Sequence, residues 1–279
     1  MPQKRWNDHL MSRRAVLRHG ANGLLAGAAL WALPSVAWGR QAWERLDETR
    51  AIVDGRTPTG RGITLDLPSV SEDGASVRLT VSVDSPMSSD DYVEAIHLYA
   101  LGNPSPPIAT FRLTPRAGKA EITTRVRLNE SQTVVALAEM SDGSVRVAEQ
   151  RPRVTVSGCL IREETYGNGG DDTLPEPRVR MPRRLAAGEP GEIITLLNHP
   201  METGLRENAD GETIPQRIIE RFRAELDGET VIDAELARSL AADPYIRFYF
   251  RAEEEGELYL LWQEDSGATA ESRQSVSPG

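Results

Sequence analysis

The chain has one cysteine, Cys159, in 279 residues. A single cysteine excludes an internal disulfide and any metal site built on several thiolates. Histidine is almost as scarce. Of four, His9 and His19 lie near the N-terminus, which leaves His97 and His199 for the rest of the chain. A zinc or copper site made from His and Cys would lack ligands, so no metal and no cofactor is expected. There is no G-x-S-x-G elbow, no H-E-x-x-H helix and no phosphate-binding glycine loop. These absences argue against an independent enzyme. Aromatic residues make up only 5% of the chain, so the cores should be small and aliphatic.

What is present begins with a targeting pattern. Ser12-Arg13-Arg14-Ala15-Val16-Leu17-Arg18 is a twin-arginine export motif. The apolar run Gly23 to Leu33 and the small-x-small site Ser35-Val36-Ala37 follow it. The apolar run is too short to span a bilayer comfortably, so no stable membrane anchor is expected. Residues 1–37 are therefore predicted to be a signal peptide, with the exported protein starting near Trp38 in the periplasm. Those 37 residues carry a net +4, so the remainder carries −14 where the whole chain carries −10. So acidic a protein is a poor ligand for nucleic acid or anionic lipid.

The length gives a prior of about two domains. Gly 23 and Pro 18, spread along the chain, suit an all-β protein with many turns. Gln41 to Val53 reads as a short amphipathic helix with Trp43, Leu46 and Val53 on one face. Ile63 to Leu67 alternates and stops at Pro68; Val77, Leu79, Val81 and Val83 alternate with polar residues in a strand buried on one face. Strands are also predicted over Tyr92 to Leu101, Ile108 to Leu113, Ala120 to Leu128, Thr133 to Met140 and Val145 to Val156. About seven short strands at this spacing suggest an immunoglobulin-like sandwich, here over residues 41–159.

Residues 160–176 read as a linker, polar and glycine-rich, with Pro175 at its exit. A second sandwich is predicted over 177–272. Its strands are Val179 to Pro182, Ile193 to Leu197, Ile218 to Leu226, Val231-Ile232, Tyr245 to Phe250 and Glu257 to Trp262. Residues 273–279 are polar and predicted to be a disordered tail. His97, His199-Pro200-Met201, Met87 and Met140 read as structural: too few ligands converge for a metal, and methionine fills core gaps. Glu253-Glu254-Glu255 reads as a solvated turn.

Cys159 sits past a strand end and before a polar segment. A reactive thiol must be accessible and able to become a thiolate. Gly158 would serve as a hinge. Arg153 and Arg162 favour the thiolate, while Glu163 and Glu164 oppose it. The alternative is an incidental thiol of the buried kind common among free cysteines.

Several stretches together carry a resemblance. Ser85-Pro86-Met87 with Asp91-Tyr92-Val93, Thr114 to Glu121, Ala138 to Ser144 and Val156-Ser157-Gly158-Cys159 resemble SoxY, the sulfur-carrying subunit of the periplasmic thiosulfate-oxidising system. Val179 to Pro182, His199 to Gly204, Ile214-Pro215 and Asp243-Pro244-Tyr245 with Phe248-Tyr249 resemble its partner SoxZ. The chain is thus similar to a SoxY–SoxZ fusion of the kind associated with periplasmic quinoprotein dehydrogenases. The resemblance implies two immunoglobulin-like β-sandwiches in contact, and a covalent carrier role for Cys159 on an arm that includes Ser157 and Gly158. It departs from the family in two ways. Only one glycine of the Gly-Gly-Cys-Gly-Gly arm is kept, and the cysteine is internal.

The expected protein is a periplasmic carrier without catalysis of its own. It would present Cys159 to redox enzymes of the Sox type or to a quinoprotein dehydrogenase. A non-covalent accessory module with an incidental thiol is the alternative, and a Cys159-linked homodimer a third possibility.

Overall fold

The structure is a computed structural model that describes residues 41–156, 173–182, 184–208 and 210–279. The predicted signal peptide, Ser157, Gly158, Cys159 and most of the predicted linker lie outside the described residues. Residues 40–279 form one compact unit.

The first half opens with a 3-10 turn, Ala42–Arg45, and helix α1, Asp47–Val53. The predicted single helix is broken at Leu46, which is extended. Its apolar face is as expected: Val53 is buried, and Trp43 and Leu46 pack against Tyr99, Val135, Leu137, Val145 and Val147. The strands that follow are β1 Ile63–Asp66, β2 Val70–Ser71, β3 Val77–Val83, β4 Val93–Ala100, β5 Pro107–Leu113, β6 Ala120–Val126, β7 Val134–Met140, β8 Val145–Gln150 and β9 Arg153–Val154. The predicted strand from Val145 to Val156 is two strands. Pro152 has no N–H for a ladder, so pairing stops before it and resumes beyond it on a different partner.

The second half contributes β10 Arg178–Arg180, β11 Pro190–Leu196, β12 Ile219–Leu226, β13 Glu229–Leu236, β14 Tyr245–Arg251, β15 Gly256–Glu264 and β16 Thr269–Val276. The disordered tail predicted from residue 273 is not found. Residues up to Val276 belong to β16, which pairs with β15 from Gly256 to Gln263, and the Gly279 N–H donates to Leu185 O at 2.9 Å. Ala270, Ser272 and Val276 point inward while Glu271, Arg273 and Ser275 face solvent. A strand with one face in water needs few apolar residues, which is why composition hid it.

The two all-β halves share their sheets. The larger sheet runs β16-β15-β12-β13-β5-β4-β7-β8 and the smaller β1-β3-β6-β14-β11-β10. Each order is a palindrome if β1, β3, β4, β5, β6, β7 and β8 are matched with β10 to β16 in turn. The halves are therefore related by a pseudo-two-fold axis, with like strands meeting like, as in an isologous dimer interface. In the larger sheet β5 and β13 pair antiparallel from Ala109↔Leu236 to Leu113↔Ile232. In the smaller sheet β6 and β14 share only the pair Thr123↔Arg247. There side chains complete the seam. Arg247 donates to Glu121 at 2.6 Å and to Thr123 at 3.0 Å, and Lys119 lies 4.6 Å from the centre of the Tyr249 ring. One hydrophobic core, drawn from both halves, lies between the sheets.

The first half of that core is mostly aliphatic, with Leu79, Ile96, Leu98, Ile108 and Ile122 fully buried around a single phenylalanine, Phe111. The second half concentrates aromatics: Phe222 packs on Trp262 at 4.5 Å and edge-on to Phe248 at 5.6 Å. The Trp262 indole N–H donates to Thr195 Oγ1 at 3.3 Å, so this large side chain is buried without stranding its polar atom.

Each half also carries the same turn. Ser85-Pro86-Met87 and His199-Pro200-Met201 both place a fully buried methionine in the left-handed region, at φ 50° and 51°. Each thioether sulfur accepts the N–H at the start of the next long strand, Val93 at 3.5 Å and Ile219 at 3.3 Å. An arginine from the opposite half closes each turn: Arg251 donates to Met87 O at 3.4 Å, and Arg127 to Pro200 O at 2.9 Å.

Candidate functional site

The described chain approaches Cys159 along a fixed track. Beyond Pro152, β9 pairs parallel with β2, with Val70 opposite Arg153 and Ser71 opposite Val154. The Arg153 N–H donates to Ser69 O at 2.9 Å and the Thr155 N–H to Ser71 O at 3.0 Å. Ser131 Oγ accepts the Val154 N–H at 2.9 Å. The Gly74 N–H donates to Val156 O at 2.9 Å, and the Leu128 N–H to Gly74 O at 2.8 Å. Backbone bonds therefore hold the chain up to Val156, three residues before the cysteine. Val70 and Val156, both about half exposed, flank this root. The β2–β9 ribbon has no counterpart in the other half among the described residues.

Leu128 lies between Arg127 and Asn129, which line a cavity of ≈ 130 Å³ at one end of the seam between the halves. Its wall is organised by buried Asn103. The Asn103 amide donates to Arg127 O at 2.7 Å and to Ser239 Oγ at 2.8 Å. Its carbonyl accepts from the Asn129 N–H at 3.1 Å and from Gln132 at 2.7 Å. All four hydrogen-bonding sites of this amide are used, so the loops that carry them are held as one unit. Gly102-Asn103-Pro104 follows the strand predicted to end at Leu101, and nothing local in that turn distinguishes Asn103 as a hub.

His97 and His199 are committed to the fold. His199 is buried. Its Nε2–H donates to Glu264 at 2.8 Å, and its Nδ1 accepts the Met201 N–H at 3.1 Å. Burial pushes its pKa below 6.5, with the Glu264 hydrogen bond opposing, so the ring is neutral. Burial works against ionisation of Glu264, but hydrogen bonds from Ser266, His199 and Arg217 outweigh it and hold the pKa below the usual carboxylate value. The cation paired with Glu264 is thus Arg217, at 2.6 Å, rather than the histidine. His97 repeats the pattern, donating to Glu139 at 3.0 Å and lying 3.1 Å from Thr110 Oγ1, with burial again lowering its pKa. Met140 is buried in the core and Glu253 to Glu255 are exposed, as the sequence suggested.

Two family models match the chain in tandem. Residues 49–159 match the sulfur oxidation protein SoxY, and residues 179–275 match the sulphur oxidation protein SoxZ. This chain is a fused SoxYZ-like protein. The SoxY match ends on Cys159 itself. The sulfur carrier protein SoxY from Chlorobium limicola f thiosulfatophilum is structurally similar, at 27% identity and a TM-score of 0.34, over 40% of this chain and 98% of its own. A superoxide reductase (neelaredoxin) from Ignicoccus hospitalis is also similar, at 18% identity and a TM-score of 0.31, over 34% of this chain and 81% of its own. No curated protein matches. The SoxY and SoxZ domains make this a carrier-type protein of sulfur oxidation. In the SoxYZ-like chain the SoxY half is the one that carries the β2–β9 ribbon.

Proposed function

We propose that the protein is exported by the twin-arginine route and works in the periplasm as a covalent carrier. Cys159 holds a sulfur-containing intermediate and presents it to partner redox enzymes, either of the Sox type or a quinoprotein dehydrogenase. The observation that carries this reading is the anchoring of the chain up to Val156, on a ribbon that, among the described residues, only the SoxY half possesses. A carrier needs a rigid root, so that the thiol is delivered from a defined place. Joining a thiol cargo to Cys159 makes one S–S bond, releases two protons and gives two electrons to the partner, which is why the partner must be an oxidant. Because Cys159 is internal, it can enter a partner only as a doubled loop. The partner therefore needs an open cleft, or the chain must be cut beyond residue 159.

Exposure of Val70 and Val156 at the root favours a second reading, in which this surface docks a dehydrogenase non-covalently and the thiol is incidental. Replacing the chromosomal copy with Cys159→Ser separates the two. The carrier reading expects sulfur-dependent oxidation in whole cells to be lost while the protein still accumulates in the periplasmic fraction. Unchanged oxidation would leave only the docking role.

A further inference from the structure

The pseudo-two-fold axis produces two ends of the seam, and the two ends differ. At one end Arg116 is ion-paired with Glu229, and Arg251 lies across Gly118. A Cβ placed on Gly118 would come within 3.0 Å of Arg251 and 3.2 Å of Pro190, so this end is filled. The other end is open and holds the ≈ 130 Å³ cavity. Two loops build it. The β4–β5 connection, 101–106, stands where its counterpart is the tight Asp227-Gly228 turn. The β11–β12 connection, 197–218, stands where its counterpart is the short segment 84–92.

Arg127, Arg206 and Arg238 line the cavity together with Asn129, Ser105, Ser239 and Thr203, and among the described residues no carboxylate does. Elsewhere Arg217, Arg221, Arg223 and Arg247 are each matched to an acid. Arg206 shares its charge with Glu202. Arg238, half-buried, makes no ion pair among the described residues. Arg127 is held in place by its bond to Pro200 O. A guanidinium fork beside hydroxyl and amide donors suits planar or tetrahedral oxygen anions. A space of this size equals about four water volumes at roughly 30 Å³ each, enough for one tetrahedral oxyanion.

We propose that this cavity binds a small oxyanion of the sulfate or sulfonate type. Its wall is one step from the arm root, since Leu128 bonds to Gly74 and Gly74 to Val156. The anion is either free in solution or the oxidised sulfur group of a cargo. The second source rests on the carrier reading; binding of the free anion does not.

Isothermal titration of sodium sulfate and methanesulfonate into the reduced, exported protein at low ionic strength tests this. Saturable binding is expected, weakened about tenfold by Arg238→Ala, which loses one charge-assisted hydrogen bond. Arg206→Ala should weaken it too. Cys159→Ser should leave it intact. Arg116→Ala removes the same charge at the filled end and should change nothing. No saturable binding, or equal weakening by Arg116→Ala and Arg238→Ala, overturns the proposal. Protein bearing an S-sulfonate on Cys159 assigns the source: lost sulfate binding means the tethered group fills the cavity, and full binding means the site serves a free anion. A Cys159 that never carries cargo in cells would remove the carrier reading and leave the titration result standing.

Discussion

The SoxY half and the SoxZ half have the same seven-strand plan and differ in what is added to it. Both have the buried methionine turn, both receive an arginine from the other half, and both bury a histidine on a glutamate. The SoxY half adds helix α1, the β2–β9 ribbon and the loop that centres on Asn103. The SoxZ half adds the long β11–β12 connection and an aromatic core. The shared parts make the seam. The Asn103 loop and the β11–β12 connection meet at its open end, and the β2–β9 ribbon is joined to that end through Gly74 and Leu128. The difference teaches that stability is distributed over both halves, while the features pointing to function come from breaks in the symmetry.

The strongest way to break this comparison is at the aromatic core. Trp262→Ala should destabilise the whole protein by about 3–5 kcal/mol, as large-to-small changes at full burial do. Because the sheets are continuous, both halves should melt in one transition. Calorimetry showing two separate transitions, with only one shifted, would break the shared-sheet account. Next come the matched turns. Met87→Ala and Met201→Ala should each cost about 3 kcal/mol in chemical denaturation. Similar losses sharpen the pseudo-two-fold relation, and a near-neutral result at either position contradicts it.

The histidines give a smaller, pH-dependent effect. Both have folded pKa values below 6.5 because burial disfavours the charged ring. The unfolded chain therefore binds protons that the native protein does not once the pH falls below about 6.5, and stability declines there with falling pH. Glu264, whose folded value is lowered, adds a second loss in more acid solution, below the ordinary 4.5 and through its folded value. Urea midpoints for His97→Gln and His199→Gln should each show a shallower fall between pH 7 and 5.5 than the parent. The smallest effect belongs to the pair Arg112–Glu235, which crosses the β5–β13 seam but is 52% and 67% exposed. Arg112→Ala should cost no more than about 0.5 kcal/mol, since exposed ion pairs contribute little. A larger loss would mean that the seam depends on its surface charges.

Much of the fold was legible in the sequence because alternation is a local signal. Val77 to Val83 reads inward and outward by inspection, and the structure buries the residues so marked. The merging of the sheets was not legible. Nothing in Ala109 to Leu113 states that its partner is Ile232 to Leu236, more than a hundred residues away. Strand β16 was missed because its inward positions, Ala270, Ser272, Gln274 and Val276, are mostly small or polar and show no apolar alternation. The cavity was missed for a related reason: Arg127, Arg206 and Arg238 are far apart in the chain, and each sits in an ordinary local context. Cys159 was legible by its rarity and by the SoxY resemblance, and its role stands as a proposal.

The most direct test of that role is the intact mass of the protein recovered from its own cells under non-reducing conditions, beside Cys159→Ser. The account predicts a mass above that of the mature chain, removed by dithiothreitol and missing from the variant. It also predicts an N-terminus near Trp38. Wild-type protein at its unmodified mass while the pathway is active would contradict it.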